Sequence, residues 1–185
     1  MNKNFSASHK GTSLDRLFTL VLVEGVGVVI AISLIFMLER VLGVMSARPT
    51  QIAIAFPLFF VPFTLLCLAY GRRGHLRSAI RLYIWVNFMA IALAILVFGG
   101  VRSSAWILFF WTVAVAEALV GPVFALVTSG LVTGFFLLLF ILQAMGWFTP
   151  LMTLGPEVRD FEYIAFTLLM IVSAVGFIGY LKGRS

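Results

Sequence analysis

Six long apolar stretches fill most of the 185-residue chain, and nearly all charged residues lie between them. A helix of about 20 apolar residues crosses a hydrocarbon layer about 30 Å thick. We therefore predict an all-α integral membrane protein, with a bundle of six transmembrane helices forming one domain over residues 17–181. The predicted spans are Leu17–Leu38, Ile52–Tyr70, Leu82–Phe98, Ala105–Val120, Val123–Met145 and Tyr163–Leu181.

Polar and helix-breaking residues mark the connections between these spans. Residues 1–16 are expected to form a short flexible tail, and residues 182–185 form a second tail. Pro57 and Pro62 fall inside the second span, where we expect a kink or a locally unwound turn because proline removes a backbone hydrogen bond. Only Gly121-Pro122 separates the fourth span from the fifth, so these two spans are predicted to form an antiparallel hairpin.

Basic residues are distributed unevenly over the two sides of the predicted bundle. Nine of the 13 Lys and Arg residues lie in the N-terminal tail, the loop 71–81 and the C-terminal tail, and four lie on the other side. Since Lys and Arg accumulate in cytoplasmic loops, we predict that both termini are cytoplasmic, in a bacterial inner membrane. Tyr83 is assigned to the same interface. The loop arginines either set this topology or bind anionic lipid headgroups; they are Arg72, Arg73, Arg77 and Arg81.

Polar side chains inside the spans form the candidate site. Glu24 and Glu117 are the only acidic residues within the predicted spans, and ionisable groups inside a membrane often mark function. Counted at 1.5 Å per residue, they fall in the cytoplasmic half with polar residues of four other spans. We expect a buried polar layer that hydrogen-bonds helix to helix or, alternatively, binds a small ligand. Glu117 lies nearer the boundary and ranks below Glu24. The layer comprises Glu24, Thr64, Asn87, Glu117, Thr128 and Ser173.

Small residues recur four positions apart on several spans, which allows helices to approach closely. We favour packing among the six helices of the chain itself, and an oligomer interface is the alternative. The pairs are Gly27 and Ala31, Ala90 and Ala94, Ala114 and Ala118, and Gly130 and Gly134.

The predicted spans lack the residues that several kinds of chemistry require. His9, His75 and all the lysines lie outside the spans, so ligation of haem or pigment and a retinal Schiff base inside the membrane are not predicted. Cys67 is the only cysteine, which excludes an internal disulfide. No nucleophile and base can be paired at one depth. The net charge of +6 belongs to short loops beside apolar spans. We therefore predict no enzyme activity, cofactor, metal or nucleic-acid partner.

A series of turn motifs follows the spans from about Arg72 to the C-terminus. The motifs are Gly99-Gly100-Val101-Arg102-Ser103, Gly121-Pro122 and Gly146-Trp147-Phe148-Thr149-Pro150. In this order the region resembles the N-terminal multi-pass membrane (sensor) region of bacterial sensor histidine kinases. Such a kinase would continue into a phosphoacceptor histidine and an ATP-binding domain, whereas this sequence stops shortly after the sixth span. The resemblance implies a sensor-type membrane module that acts through another polypeptide, or a fragment.

Two functions are consistent with these features. The leading hypothesis is a non-catalytic module that packs against partner membrane proteins. It would be an accessory or scaffold subunit of a respiratory or photosynthetic complex, or a sensor-kinase-like signal-input element. The alternative is the small-molecule-binding subunit of a membrane importer. That class needs an outward-facing pocket, whereas the predicted polar residues lie toward the cytoplasm.

Overall fold

The computed structural model describes residues 4–43, 47–150 and 156–182, with side chains placed in residues 14–43, 51, 55–150, 160 and 163–175. The chain is all-helical over these residues, as predicted. Its α-helices are α1 (Asn4–Val41), α2 (Ala47–Tyr70), α3 (Leu76–Val97), α4 (Leu108–Leu119), α5 (Pro122–Ala144) and α6 (Pro156–Lys182). Three short helical turns, Gly71–His75, Gly100–Arg102 and Ser104–Ile107, connect α2, α3 and α4.

Three helical stretches are long and apolar enough to cross a membrane, judged by length and composition. They are Leu14–Val41, Ala55–Val97 and Pro122–Ala144. Two further helical stretches are apolar but shorter; they are Ser104–Leu119 and Tyr163–Val175. These stretches support the prediction that the chain is a membrane protein.

The 43-residue stretch Ala55–Val97 consists of two helices folded against each other. Gly74 has a φ of 93°, which breaks the helical path within the Gly71–His75 turn. The ring centroids of Phe60 and Tyr83 lie 6.3 Å apart, whereas a straight helix would separate these residues by about 35 Å. Helices α2 and α3 therefore form an antiparallel hairpin.

The hairpin predicted at Gly121-Pro122 is confirmed. Helix α4 ends at Leu119, α5 begins at Pro122, and the two helices pack against each other. Gly121 has φ 124° and ψ 173°, a region that is essentially restricted to glycine. Pro122 occupies the first turn of α5, where a missing backbone N–H costs no helical hydrogen bond.

Two clusters of buried apolar side chains mark two levels of the bundle. The first cluster combines the early parts of α1, α3 and α5 with the late parts of α2 and α4; it includes Phe18, Val21, Cys67, Ile80, Tyr83, Val115, Leu119 and Ala125. The second combines the late parts of α1, α3 and α5 with the residues before and at the start of α4; it includes Phe36, Ile95, Ala105, Phe109 and Leu139. Consequently α1, α3 and α5 run in one direction, and α2 and α4 run in the other.

Helix bounds differ from the predicted spans at several points. Helix α1 begins at Asn4, so residues 4–16 are helical and the prediction of a flexible tail is wrong for them. Extending an existing helix by one residue adds a hydrogen bond without a new nucleation cost. Helix α6 begins at Pro156, so the sixth helix starts before the predicted span. The predicted C-terminal tail 182–185 begins at Lys182, which belongs to α6, and residues 183–185 lie outside the described residues.

The two prolines of α2 do not unwind it. Helical backbone continues through both Pro57 and Pro62, so the predicted unwound turn is not observed. Each proline removes one backbone hydrogen bond, and its φ of about −65° remains compatible with a helix. The neighbouring hydrogen bonds and the packing of α2 on α1 and α3 keep the segment helical.

Candidate functional site

Two residues of the predicted polar layer are buried but bond only to their own helices. The Thr64 hydroxyl donates to the carbonyl oxygen of Phe60 at 2.8 Å, and the Thr128 hydroxyl donates to that of Phe124 at 2.9 Å. A threonine that bonds to the carbonyl four residues earlier satisfies its polar group locally. Neither residue therefore links two helices through its hydroxyl.

Asn87 makes a hydrogen bond that joins α3 to α4. Its side-chain Nδ2 donates to Oγ1 of Thr112 at 3.1 Å. Thr112 is fully buried, and its hydroxyl in turn donates to the carbonyl oxygen of Leu108 at 3.3 Å. The sequence analysis missed Thr112, because a single threonine in an apolar helix is indistinguishable from a locally bonded one until its neighbour is known.

Glu24 and Ser173 form the second polar contact between helices. Glu24 is half-buried on α1, and the buried Ser173 of α6 forms a side-chain hydrogen bond with it. The contact lies where α6 packs on α1. Glu117 differs from the other predicted members, because its side chain is exposed on α4. It therefore lies outside the buried layer.

Tyr83, like Thr112, is a fully buried polar residue of the site. Its side chain is 0% exposed, and within the described part of the chain its hydroxyl has no hydrogen-bond partner. The ring packs edge-on against Phe18 and beside Phe60. Tyr83 was predicted to lie at the membrane interface, and its side chain is covered by protein rather than exposed on the surface of the bundle. Its spacing of four residues from Asn87, which places both on one helical face, is the signal that could have indicated burial.

A close contact between α1 and α3 positions this tyrosine. A Cβ built on Gly25 would collide with Oη of Tyr83 and would lie 3.4 Å from its Cζ. Glycine at position 25 therefore makes room for the phenol. By contrast, a Cβ built on Gly27 has no neighbour within 4 Å among the described residues.

A cavity of about 140 Å³ lies beside Tyr83, and its lining residues come from α1, α2, α3, the Ser104–Ile107 turn, the first turn of α4 and Phe166 of α6. Its lining is mostly aliphatic and aromatic, and none of the described residues that line it is charged. Leu93, 58% exposed, contributes to the wall, so the cavity reaches the outer surface of the helices. Its polar lining residues are Ser33, Tyr83, Asn87, Ser103, Ser104 and Trp111.

Glu39, the residue directly after the first predicted span, is a buried acidic residue. It is 2% exposed, and neither carboxyl oxygen has a hydrogen-bond partner in the part of the chain that the structure describes. An unpaired carboxyl in an apolar environment is costly. Neighbouring Arg40 is exposed. Two adjacent charged residues thus lie in different surroundings, which their positions in sequence do not reveal.

The basic loop and the small residues are placed as follows. The four loop arginines are exposed in and after the Gly71–His75 turn; they are Arg72, Arg73, Arg77 and Arg81. Ala90 and Ala94 line the cavity. Ala31 and Ala118 are half-buried. The remaining small residues are exposed and are not covered by the side chains that the structure describes; they are Gly27, Ala114, Gly130 and Gly134.

Among the described residues, no cluster of three or more His, Cys, Asp or Glu side chains is arranged to hold a metal ion. The site instead combines two hydrogen bonds between helices, one unpartnered phenol and an uncharged cavity. No protein-family model, curated protein or solved structure matches the chain.

Proposed function

We propose that this chain is a non-catalytic multi-pass membrane module that works through contact between α5 and a helix of a partner membrane protein. The observation that carries the proposal is the open glycine face of α5. The sensor-kinase resemblance supports the same reading, because an input module must pass its state to another domain or polypeptide through helix contacts.

Helix α5 lies at the edge of the bundle. It packs mainly on α4 and on the Gly100–Arg102 turn. Only Ala125, Thr128 and Leu139 are buried along its 23 residues. Large apolar side chains are exposed along both halves of the helix, including Leu126, Leu131, Leu137 and Phe140. This surface is suited to lipid or to another apolar helix.

The glycines of α5 favour another helix over lipid as the neighbour of this surface. Gly130 and Gly134 form a Gly-x-x-x-Gly pair, and a Cβ built on either has no neighbour within 4 Å among the described residues. A helical glycine costs about 0.5–1 kcal/mol relative to alanine, and packing against the described residues does not offset that cost. A closely approaching partner helix offsets it, because small residues spaced by four allow backbones to come into contact.

The proposed module has six membrane-spanning helices with both termini in the cytoplasm. The break at Gly74 supports this number, because it divides the stretch Ala55–Val97 into two antiparallel helices. Because the helices alternate in direction, the basic Gly71–His75 turn lies at the same level of the bundle as the first turns of α5. This arrangement supports the proposal that this end of the bundle faces the cytoplasm. The excess of Lys and Arg at that level is typical of a cytoplasmic side.

Substitution of the two glycines tests the helix contact. The full chain is purified from its native membrane in mild detergent, and its mass is measured by size exclusion with light scattering. We expect a larger assembly in the wild type and its loss in Gly130→Leu/Gly134→Leu. Gly27→Leu is the matched control, because Gly27 is equally open on α1. A wild-type monomer would contradict the proposal, and a homodimer would overturn the accessory role by assigning the face to a second copy.

Reporter fusions test the six-span arrangement. A reporter inserted between Arg72 and Arg73 and one placed after Ser185 should both read cytoplasmic. A reporter inserted after Arg102 should read on the opposite side. Cytoplasmic signals at both Arg72 and Arg102 would show that α3, the helix between them, does not cross the membrane.

A further inference from the structure

We infer that the cavity between α1, α2 and α3 is a binding site for a narrow, uncharged, largely apolar molecule that carries one hydrogen-bonding oxygen. The site is independent of the proposed contact through α5, because none of its lining residues belongs to that helix. The bound oxygen is held by the hydroxyl of Tyr83.

The size of the cavity sets the width of the ligand. Its volume is about 140 Å³, comparable to an engineered cavity of about 150 Å³ that binds benzene. The lining residues on α3 extend from Tyr83 to Val97, a distance of about 21 Å along a helix. A small volume spread over this length accommodates a single ring or an extended chain, and it excludes a fused ring system.

The lining determines the polarity of the ligand. Since the described lining residues are uncharged, an ionic group would be desolvated without a compensating partner. Aromatic rings of Phe36, Phe56 and Phe60 form much of the wall. These surfaces favour an apolar body, and Leu93 at the exposed edge provides a route of entry from the hydrocarbon layer.

The phenol of Tyr83 supplies the polar contact. The residue lines the cavity, its side chain is fully buried, and its hydroxyl lacks a hydrogen-bond partner in the described part of the chain. A buried hydroxyl without a partner costs free energy that a ligand oxygen restores. Asn87, one turn away on the same face, already donates to Thr112, so Tyr83 is the group that awaits a partner.

A matched pair of fluorinated probes tests the site. The full chain in lipid nanodiscs is titrated with 4-fluorophenol or 4-fluorotoluene, which differ by hydroxyl against methyl, and binding is followed by ¹⁹F NMR relative to protein-free nanodiscs. We expect saturable binding of both probes. The phenol should bind more tightly, by up to about tenfold, which is the range of one net hydrogen bond.

Two pairs of variants assign this binding to the cavity. Tyr83→Phe should abolish the preference for the phenol, and Tyr70→Phe, at a phenol 40% exposed, should retain it. Because Tyr83→Phe removes only an unpartnered hydroxyl, we expect it to fold. Ala94→Leu should abolish binding of both probes by filling the cavity, whereas Ala114→Leu, at an exposed alanine on α4, should not. Non-saturable uptake, or a preference that persists in Tyr83→Phe, would overturn the inference.

Discussion

Gly25 of α1 and Tyr83 of α3 occupy complementary positions, since the hydroxyl of Tyr83 fills the space that a side chain at position 25 would need. Tyr83 in turn lies between the rings of Phe18 and Phe60. The phenol therefore cannot move aside without disturbing the packing of α1 and α2. This contact joins α1 to α3 beside the cavity.

Gly25→Ala is expected to destabilise the fold by about 1–3 kcal/mol, because overpacking forces neighbouring side chains to shift. The double variant Gly25→Ala/Tyr83→Phe should recover most of this loss, since the nearest remaining ring atom, Cζ, lies 3.4 Å from the new Cβ. The measurement is reversible unfolding in detergent. Gly27→Ala is the control and should be neutral or stabilising by about 0.5–1 kcal/mol. Equal losses at positions 25 and 27 would refute the contact.

The hydrogen bond between Asn87 and Thr112 is expected to couple α3 to α4. A double-mutant cycle with Asn87→Leu and Thr112→Val should give a coupling free energy of about 0.6 kcal/mol and no more than about 1.7 kcal/mol, the range measured for such bonds in membranes. The same cycle with Thr64→Val serves as the control, because the Thr64 hydroxyl bonds to its own helix. A coupling to Thr64 as large as that to Thr112 would contradict this assignment.

Gln143 is expected to anchor the end of α5. Its Oε1 accepts a hydrogen bond from the backbone N–H of Val101 at 2.9 Å, and its side chain lies against Gly100, whose φ is 61°. Gln143→Leu should cost about 1–3 kcal/mol of unfolding free energy, because the N–H loses its acceptor. Gln143→Glu retains an acceptor oxygen and should cost less. Identical losses in both variants would show that shape, not hydrogen bonding, determines the effect.

Glu39 is expected to reduce stability, because its buried carboxyl has no hydrogen-bond partner in the described residues. Glu39→Leu should raise the free energy of unfolding by about 1–3 kcal/mol. Glu117→Leu is the matched control at an exposed position and should change it by less than about 0.5 kcal/mol. A loss of stability in Glu39→Leu would reveal a favourable interaction of this carboxyl in the folded protein.

The elements that could be predicted are those fixed by local chemistry. Apolar stretches indicated helices suited to a membrane, and Gly121-Pro122 indicated a tight hairpin because glycine permits the required φ and proline favours a helix start. Within the site, Asn87, Glu24 and Ser173 were recognised because a polar group in an apolar span is conspicuous. Their hydrogen-bond partners could not be predicted, because the sequence does not specify which faces of the helices meet.

Burial inside the bundle was the property that sequence reasoning judged least well. Tyr83 was assigned to an interface and is fully buried, whereas Glu117 was assigned to the interior and is exposed. In a uniformly apolar helix, the face toward lipid and the face toward protein have similar composition. Hydrophobic periodicity therefore carries little information about which side of such a helix is covered.

The sequence by itself determined the helical, membrane-compatible class, the tight turn at Gly121 and the exposed basic loop around Arg72. These follow from transfer of apolar groups and from backbone preferences, which act within a few residues. Only the tertiary structure decided that Tyr83 meets Gly25, that a cavity opens beside them, and that Gly130 and Gly134 lie uncovered on α5. Those features depend on how helices distant in sequence rotate and approach, and the composition of the individual spans does not encode that packing.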